Sequence, residues 1–170
     1  AIQSTPSFIT PALTYVTLLT EQNAKDKALK AITTYLKHTP RIDAMQTWIK
    51  LAAPKHKGAR LTSQAKKVLS AHINTADGSL CMATLYIHQQ NWKNAHQVLT
   101  EARSQNPNKQ TYMLLAQVEE KLDPENHAKQ QWLQQAVKAP DYKQPAQNHD
   151  EAYAKWCEIY AKAGSNSALE

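Results

Sequence analysis

The chain is poor in the residues that irregular and β-rich folds depend on. It has 3 glycines in 170 residues, where average usage gives roughly a dozen. It has 1 phenylalanine and 2 cysteines. Scarce glycine argues against sandwiches, barrels and dinucleotide-binding α/β folds, whose turns and phosphate loops need it. Cys81 and Cys157 are 76 positions apart, so no CxxC pair and no zinc-type spacing exists. Two isolated thiols suit a reducing compartment. No apolar run reaches the ~18 residues of a membrane span, and neither a spanning helix nor a signal peptide is expected. No HExxH, GxSxG, P-loop or glycine-rich phosphate cradle occurs.

What remains is helix-forming. Ala, Lys, Gln and Leu dominate and hydrophobic residues make up 42%, enough for a packed core and too many for a disordered tail. The fold class expected is all-α. Net charge is +6, unevenly spread: residues 1–75 carry 11 Lys/Arg against 3 Asp/Glu, and residues 76–170 carry 9 against 11. No acid stands between Asp43 and Asp77, while Lys50, Lys55, Lys57, Arg60, Lys66 and Lys67 do. Such a stretch is either a solvated helix face or a patch for anionic lipid, nucleic acid or an acidic partner. Trp48 is the only aromatic in it. Base stacking wants aromatics among the lysines, so no nucleic acid is expected.

The apolar residues recur at helical spacing. Leu80, Ala83, Leu85, Tyr86 and Ile87 form one broad face, with Asp77 as its expected cap. Gln89-Gln90-Asn91 breaks the pattern, and Asn91 is placed to cap the next helix. Trp92, Ala95, Val98, Leu99 and Ala102 follow, and Asn106-Pro107 stops them. The pattern A-x3-L-x2-A-x4-P of Ala95, Leu99, Ala102 and Pro107 has counterparts at Ala28, Ile32, Tyr35 and Pro40. Weaker counterparts are Ala65, Leu69 and His72, then Leu133 and Ala136 before Pro140, with Ala128 near the small slot. The small positions are 37, 30 and 33 or 34 residues apart, close to the ~34 of a tetratricopeptide repeat. A small residue lets paired helices approach, a large one fills the gap to the next pair, and proline ends the second helix. The expectation is a tetratricopeptide-like solenoid of helical hairpins over 6–140, about four pairs. A linker at 141–149, a C-terminal capping helix at 150–163 and a tail at 165–170 follow. Asp123-Pro124-Glu125 reads as a helix start. Tyr153, Trp156, Ile159 and Tyr160 mark the capping helix, which would cover the open end of the array. Leu169-Glu170 reads as a vector scar.

Catalytic or metal-binding sets are not visible. His88 and His96 are separated by a turn. His38 and His72 suit helix C-termini, where a histidine meets the dipole. Glu119-Glu120 are adjacent on a helix and diverge by ~100°. No catalytic, cofactor or metal residues are assigned. A partner groove is expected on the first helices of the pairs, at Leu13, Thr17, Leu80, Thr84, Ile87, His88, Met113 and Gln117. Leu13, Thr14, Thr17, Leu80, Cys81 and Thr84 stand where some tetratricopeptide domains clamp a C-terminal carboxylate, and none carries the charge to do so. A helix or extended peptide would suit this groove better.

Pro11-Ala12, Ala28 through Pro40, the Thr39–Ala44 turn, Trp48, Arg60-Leu61 to Leu69, Glu101 through Pro107, Tyr112 to Glu120 and Gln131 to Pro140 carry a family likeness. In their order and spacing, over roughly Pro6 to Pro140, the chain resembles the C-terminal half of HemY-type tetratricopeptide proteins of proteobacterial inner membranes. The tail differs, since that family follows its alanine-proline pair with a proline-rich, non-helical end. The two amino-terminal membrane helices of the family are not in this sequence. The resemblance implies a non-catalytic scaffold at the inner membrane, on its cytoplasmic side, associated with a late step of haem or porphyrin biosynthesis. The implied partners are haem-pathway enzymes, with the anionic membrane surface as a second contact for the basic patch. A tetrapyrrole-binding carrier and a complex-assembly scaffold unrelated to haem are the alternatives. No Cys-Pro dipeptide is present, and no cofactor is expected.

Overall fold

The computed structural model describes residues 11–145, and within them the chain is all-helical. The eight helices are α1 (Pro11–Glu21), α2 (Lys25–His38), α3 (Ile42–Ala52), α4 (Gly58–Val68), α5 (Ala76–His88), α6 (Trp92–Gln105), α7 (Lys109–Leu122) and α8 (Ala128–Lys138). Residues 6–10, 146–149, the capping helix at 150–163 and the tail at 165–170 lie outside the described residues.

Most successive helices pack on one another. α1 lies on α2, α5 on α6, α7 on α8, and the pairs are joined through α2–α3, α3–α5 and α6–α7. Ala28, Ala65 and Ala95 are all wholly buried, as a small slot at a helix contact requires. Their large companions Ile32, Leu69 and Leu99 are wholly buried too. The core is one continuous cluster from Val16 in α1 to Val118 in α7. α5 is its centre. From Gly78 to Tyr86 only Thr84 of this helix is not fully buried, because α3, α4 and α6 surround it.

Turn chemistry explains the helix ends. Asn91 caps α6, its Oδ1 accepting from the Asn94 amide, and Asn106 follows the last turn, as expected. Asn108, itself buried, caps α7 by accepting from the backbone N–H and the hydroxyl of Thr111. Two expected starts move. The cap of α5 is Thr75, which accepts from the Gly78 amide at 3.1 Å. Asp77 instead sits in the first turn, where its carboxylate still meets the positive end of the dipole. Asp123-Pro124-Glu125 does not open a helix. Asp123 closes α7, its N–H reaching the Glu119 carbonyl, and the Asn126 N–H bonds back to the Asp123 carbonyl. That tight turn uses the Pro and Asn as turn residues, so α8 begins only at Ala128.

One pair does not close. α3 and α4 approach each other far less closely than the partners of the other three pairs, and α4 leans on α2 and α5 instead. Helix separation is set by the side chains at the contact. α3 buries Met45, Trp48 and Ile49, and its close contacts are with α2 and α5. Trp48 also donates from its indole N–H to Thr33 Oγ1 at 3.0 Å, which turns it toward α2. α4 buries only the narrow stripe of Leu61, Ala65 and Val68.

After α8 the chain turns back over the molecule. Residues 139–145 form no helix, and the described part of the expected linker is fastened to the molecule. The Pro140 carbonyl accepts from the Lys109 amide at the start of α7. Tyr142 packs against the core cluster and donates its hydroxyl to Asp77 Oδ1 at 2.5 Å, in the first turn of α5. This strap therefore ties the N-terminal ends of α7 and α5 together.

Candidate functional site

The open pair leaves a recess. An open cleft of about 870 Å³ runs between α4 and the α5–α6 turn. One wall is a full face of α4: Gly58, Ala59, Thr62, Ser63, Lys66 and Lys67, with Ser70 beyond it. These positions recur at three- and four-residue spacing, the opposite side from the Leu61–Ala65–Val68 stripe. The other wall is Tyr86 at the end of α5, Gln89 in the turn, and Asn91 and Asn94 at the start of α6.

Hydrogen bonds set the geometry of the mouth. Gln89 Nε2 donates to the Gly58 carbonyl at 3.0 Å, and Thr62 Oγ1 donates to Gln89 Oε1 at 3.0 Å. One amide thus links the start of α4 to the α5–α6 turn. Gly58 has φ +53°, a left-handed conformation that glycine adopts without steric cost. Gln90, at φ 56°, makes the corresponding tight turn on the other wall.

The electrostatics have one sign. No lining residue is acidic. Lys66 and Lys67 are exposed in the last turn of α4. The N-termini of α4 and α6 open at the cleft, and each carries partial positive charge. Arg60 is exposed seven residues before Lys67, which puts both on one stripe of the helix.

The structure divides the six basic residues. Lys66 and Lys67 line the cleft; Arg60 does not line it and is exposed about two turns before Lys67. Lys57 is exposed at the N-cap position of α4, and Lys50 is exposed in the last turn of α3. Lys55 is ion-paired with Asp26 at the start of α2, so its charge is already answered.

The expected groove fares differently. Leu80 is wholly buried, as is Cys81, so neither faces a partner. Both sit on the helix that is packed on nearly every side. Thr84 is half-buried and bonds back to the Leu80 carbonyl, and Ile87 packs on the core. Leu13 is also half-buried on the core. Thr17, His88, Met113 and Gln117 are exposed on three separate helices, and none of the eight lines the cleft.

Elsewhere, buried polar chemistry gathers under the strap. Arg41 makes a two-pronged contact with Asp43, Nε to Oδ1 at 3.1 Å and NH2 to Oδ2 at 2.8 Å. The Asp43 hydrogen bond holds the guanidinium further above its ordinary range, against the opposing effect of burial. Burial pushes the Tyr142 hydroxyl up, and the bond to the Asp77 carboxylate adds to it. Burial likewise pushes the Cys81 thiol up, so it stays protonated and unreactive. Among the described residues no group of three or more His, Cys, Asp or Glu is placed to hold a metal. His96 pairs with Glu119 at 2.8 Å across α6 and α7, and His72 meets the Lys37 carbonyl at 3.2 Å, so both have structural partners. No described helix is long and apolar enough to cross a membrane. Neither family models nor curated proteins give a match to this chain.

The cleft residues Thr62, Ser63, Ser70, Gln89, Asn91 and Asn94 carry no motif. Their one signal is negative: Gly58–Lys67 has a single narrow apolar stripe, so most of that helix has nothing to pack against.

Proposed function

We propose that this chain is a non-catalytic helical-repeat scaffold of tetratricopeptide type that holds a protein partner. The cleft along α4 carries the reading. It is a recess with hydrogen-bonding side chains on both walls and lysines at one end, and with neither a carboxylate nor a histidine in its lining. Such a lining can bind and orient a chain but offers no acid–base pair for chemistry. The repeat reading is supported by the helix starts: the odd helices begin at 11, 42, 76 and 109, intervals of 31, 34 and 33 residues. The HemY-type resemblance extends the proposal to a scaffold at the cytoplasmic side of the inner membrane, serving a late step of haem or porphyrin biosynthesis.

Two measurements test this. The immobilised chain should retain a purified late haem-pathway enzyme, and retention of none would remove the haem assignment. Titration with haem should leave the Soret band unshifted. A shift saturating at one equivalent, abolished by replacing a single His or Cys, would replace the scaffold with a tetrapyrrole carrier.

A further inference from the structure

Resting on the scaffold reading, we infer that the α4 cleft takes an extended acidic peptide segment of the partner, laid along α4 between Lys66–Lys67 and the N-terminus of α6. Charge complementarity selects the occupant. The lining contains two lysines and no carboxylate, and the sequence offers no acid from residue 44 to residue 76 to answer them. Gln89 and Thr62 are bonded across the mouth; the hydroxyls of Ser63 and Ser70 and the amide of Asn94 line the cleft beside them, and an Asn amide presents a donor and an acceptor together. That is the pattern an extended backbone, with its alternating N–H and C=O, can satisfy. The size agrees. α4 has 11 residues, about 16 Å of helix, which matches about five residues of extended peptide.

The same observations disfavour a bilayer as the occupant. A flat anionic surface needs cations on one plane, and here Lys66 and Lys67 line a recess while Lys55 is held by Asp26. An acidic chain can enter the recess and reach both the lysines and the amides behind them.

The test is fluorescence anisotropy with the full chain and a labelled decapeptide of alternating Asp and Ala, beside matched Ser/Ala and Lys/Ala peptides. Saturable binding of the acidic peptide alone is expected, weakening as salt is raised. Lys66→Glu/Lys67→Glu should weaken it at least tenfold, Lys66→Arg/Lys67→Arg should retain it, and circular dichroism should show both variants folded. Lys50→Glu/Lys55→Glu, of equal charge change but outside the cleft, should cost under threefold. Equal binding of the Ser/Ala peptide, or equal loss in the two charge-reversal variants, would overturn the proposal. So would co-sedimentation with phosphatidylglycerol vesicles that depends on Lys66 and Lys67 while the peptide is not bound. The two readings fail separately. If Lys66→Glu/Lys67→Glu still retains a haem-pathway enzyme, the peptide chemistry falls and the scaffold stands. If the peptide binds and no such enzyme is retained, the cleft stands and the haem link falls.

Discussion

α5 and α6 lie closely against each other, while α3 and α4 stay apart and leave a cleft beside them. Both pairs have an alanine in the small slot and a leucine four residues on, and in both these residues are wholly buried. The difference lies in what each second helix packs against: α6 lies on α5 and α7, whereas α4 lies on α2 and α5 and hardly on α3. Trp48 of α3 is turned to α2 by its bond to Thr33 Oγ1. The small slot permits close approach but does not compel it. A second helix that leans on other neighbours leaves its outer face to wall a recess. One pair thus supplies core and the other supplies surface.

The two described glycines separate these cases most sharply. A Cβ on Gly78 would stand 1.8 Å from the His72 carbonyl oxygen, in the turn that folds over the start of α5. Backbone has to move, so Gly78→Ala should cost about 3 kcal/mol, seen in urea unfolding as a lower midpoint. An unchanged midpoint would mean the turn before α5 is not held as described. Gly58, in the open pair, has nothing within 4 Å of such a Cβ. Only its φ of +53° opposes a side chain, so Gly58→Ala should cost ~1 kcal/mol. A larger loss there would break the contrast.

Overpacking tests the pairs themselves. Ala95→Leu should cost roughly 1–3 kcal/mol, because α6 has no room to retreat from α5. Ala65→Leu should cost less, since α4 can move outward into the cleft. Thermal unfolding of the two variants side by side decides the matter, and equal losses would show the open pair to be as tightly held as the closed one.

The strap gives a smaller and pH-dependent effect. Removing the Tyr142 hydroxyl from Asp77 by Tyr142→Phe should cost ~1.5 kcal/mol at neutral pH, the range for a hydrogen bond to a charged group. Tyr142 ionises at higher pH in the folded chain than in the unfolded one. The folded state therefore binds the proton more tightly. Its contribution is fully present below the ordinary tyrosine range of about 10 and is lost as pH rises beyond it. Cys81 is shifted in the same direction, so the comparison is made between native and Tyr142→Phe chains at pH 8 and pH 10.5. The gap between them should narrow at the higher pH, and a constant gap would contradict the assignment.

Much of this architecture is legible in the order of residues. Helical periodicity is legible in α2, α4 and α6, where one buried face repeats every three to four residues. Asn91 marks the start of α6 through its side-chain oxygen, and Asn106, followed by Pro107, marks its end. Three features were not legible. Asp123-Pro124-Glu125 suits a turn as well as a helix start, and the Asn126 bond decides for the turn. Leu80 and Cys81 lie on what should be a groove-facing side, but burial depends on which helices surround α5, and no local pattern encodes that. The cleft arises from how α4 packs on α2 and α5, which no local pattern encodes, so the basic run is visible while the recess beside it is not.

The bond between Tyr142 and Asp77 joins positions 65 apart in sequence. In a stack of helix pairs each unit ordinarily touches only the next, so its stability resembles a one-dimensional sum and its ends can fray independently. The strap adds a coupling that skips a neighbour: a segment following α8 is fastened to α5. Melting α7 and α8 must release Tyr142, and loosening the start of α5 must release the far end of the array. Amide exchange in α8 should then track that of α5 more closely than that of α1, which no such fastening reaches among the described residues. The strap thereby adds coupling between α5 and the α7–α8 pair beyond what nearest-neighbour packing supplies.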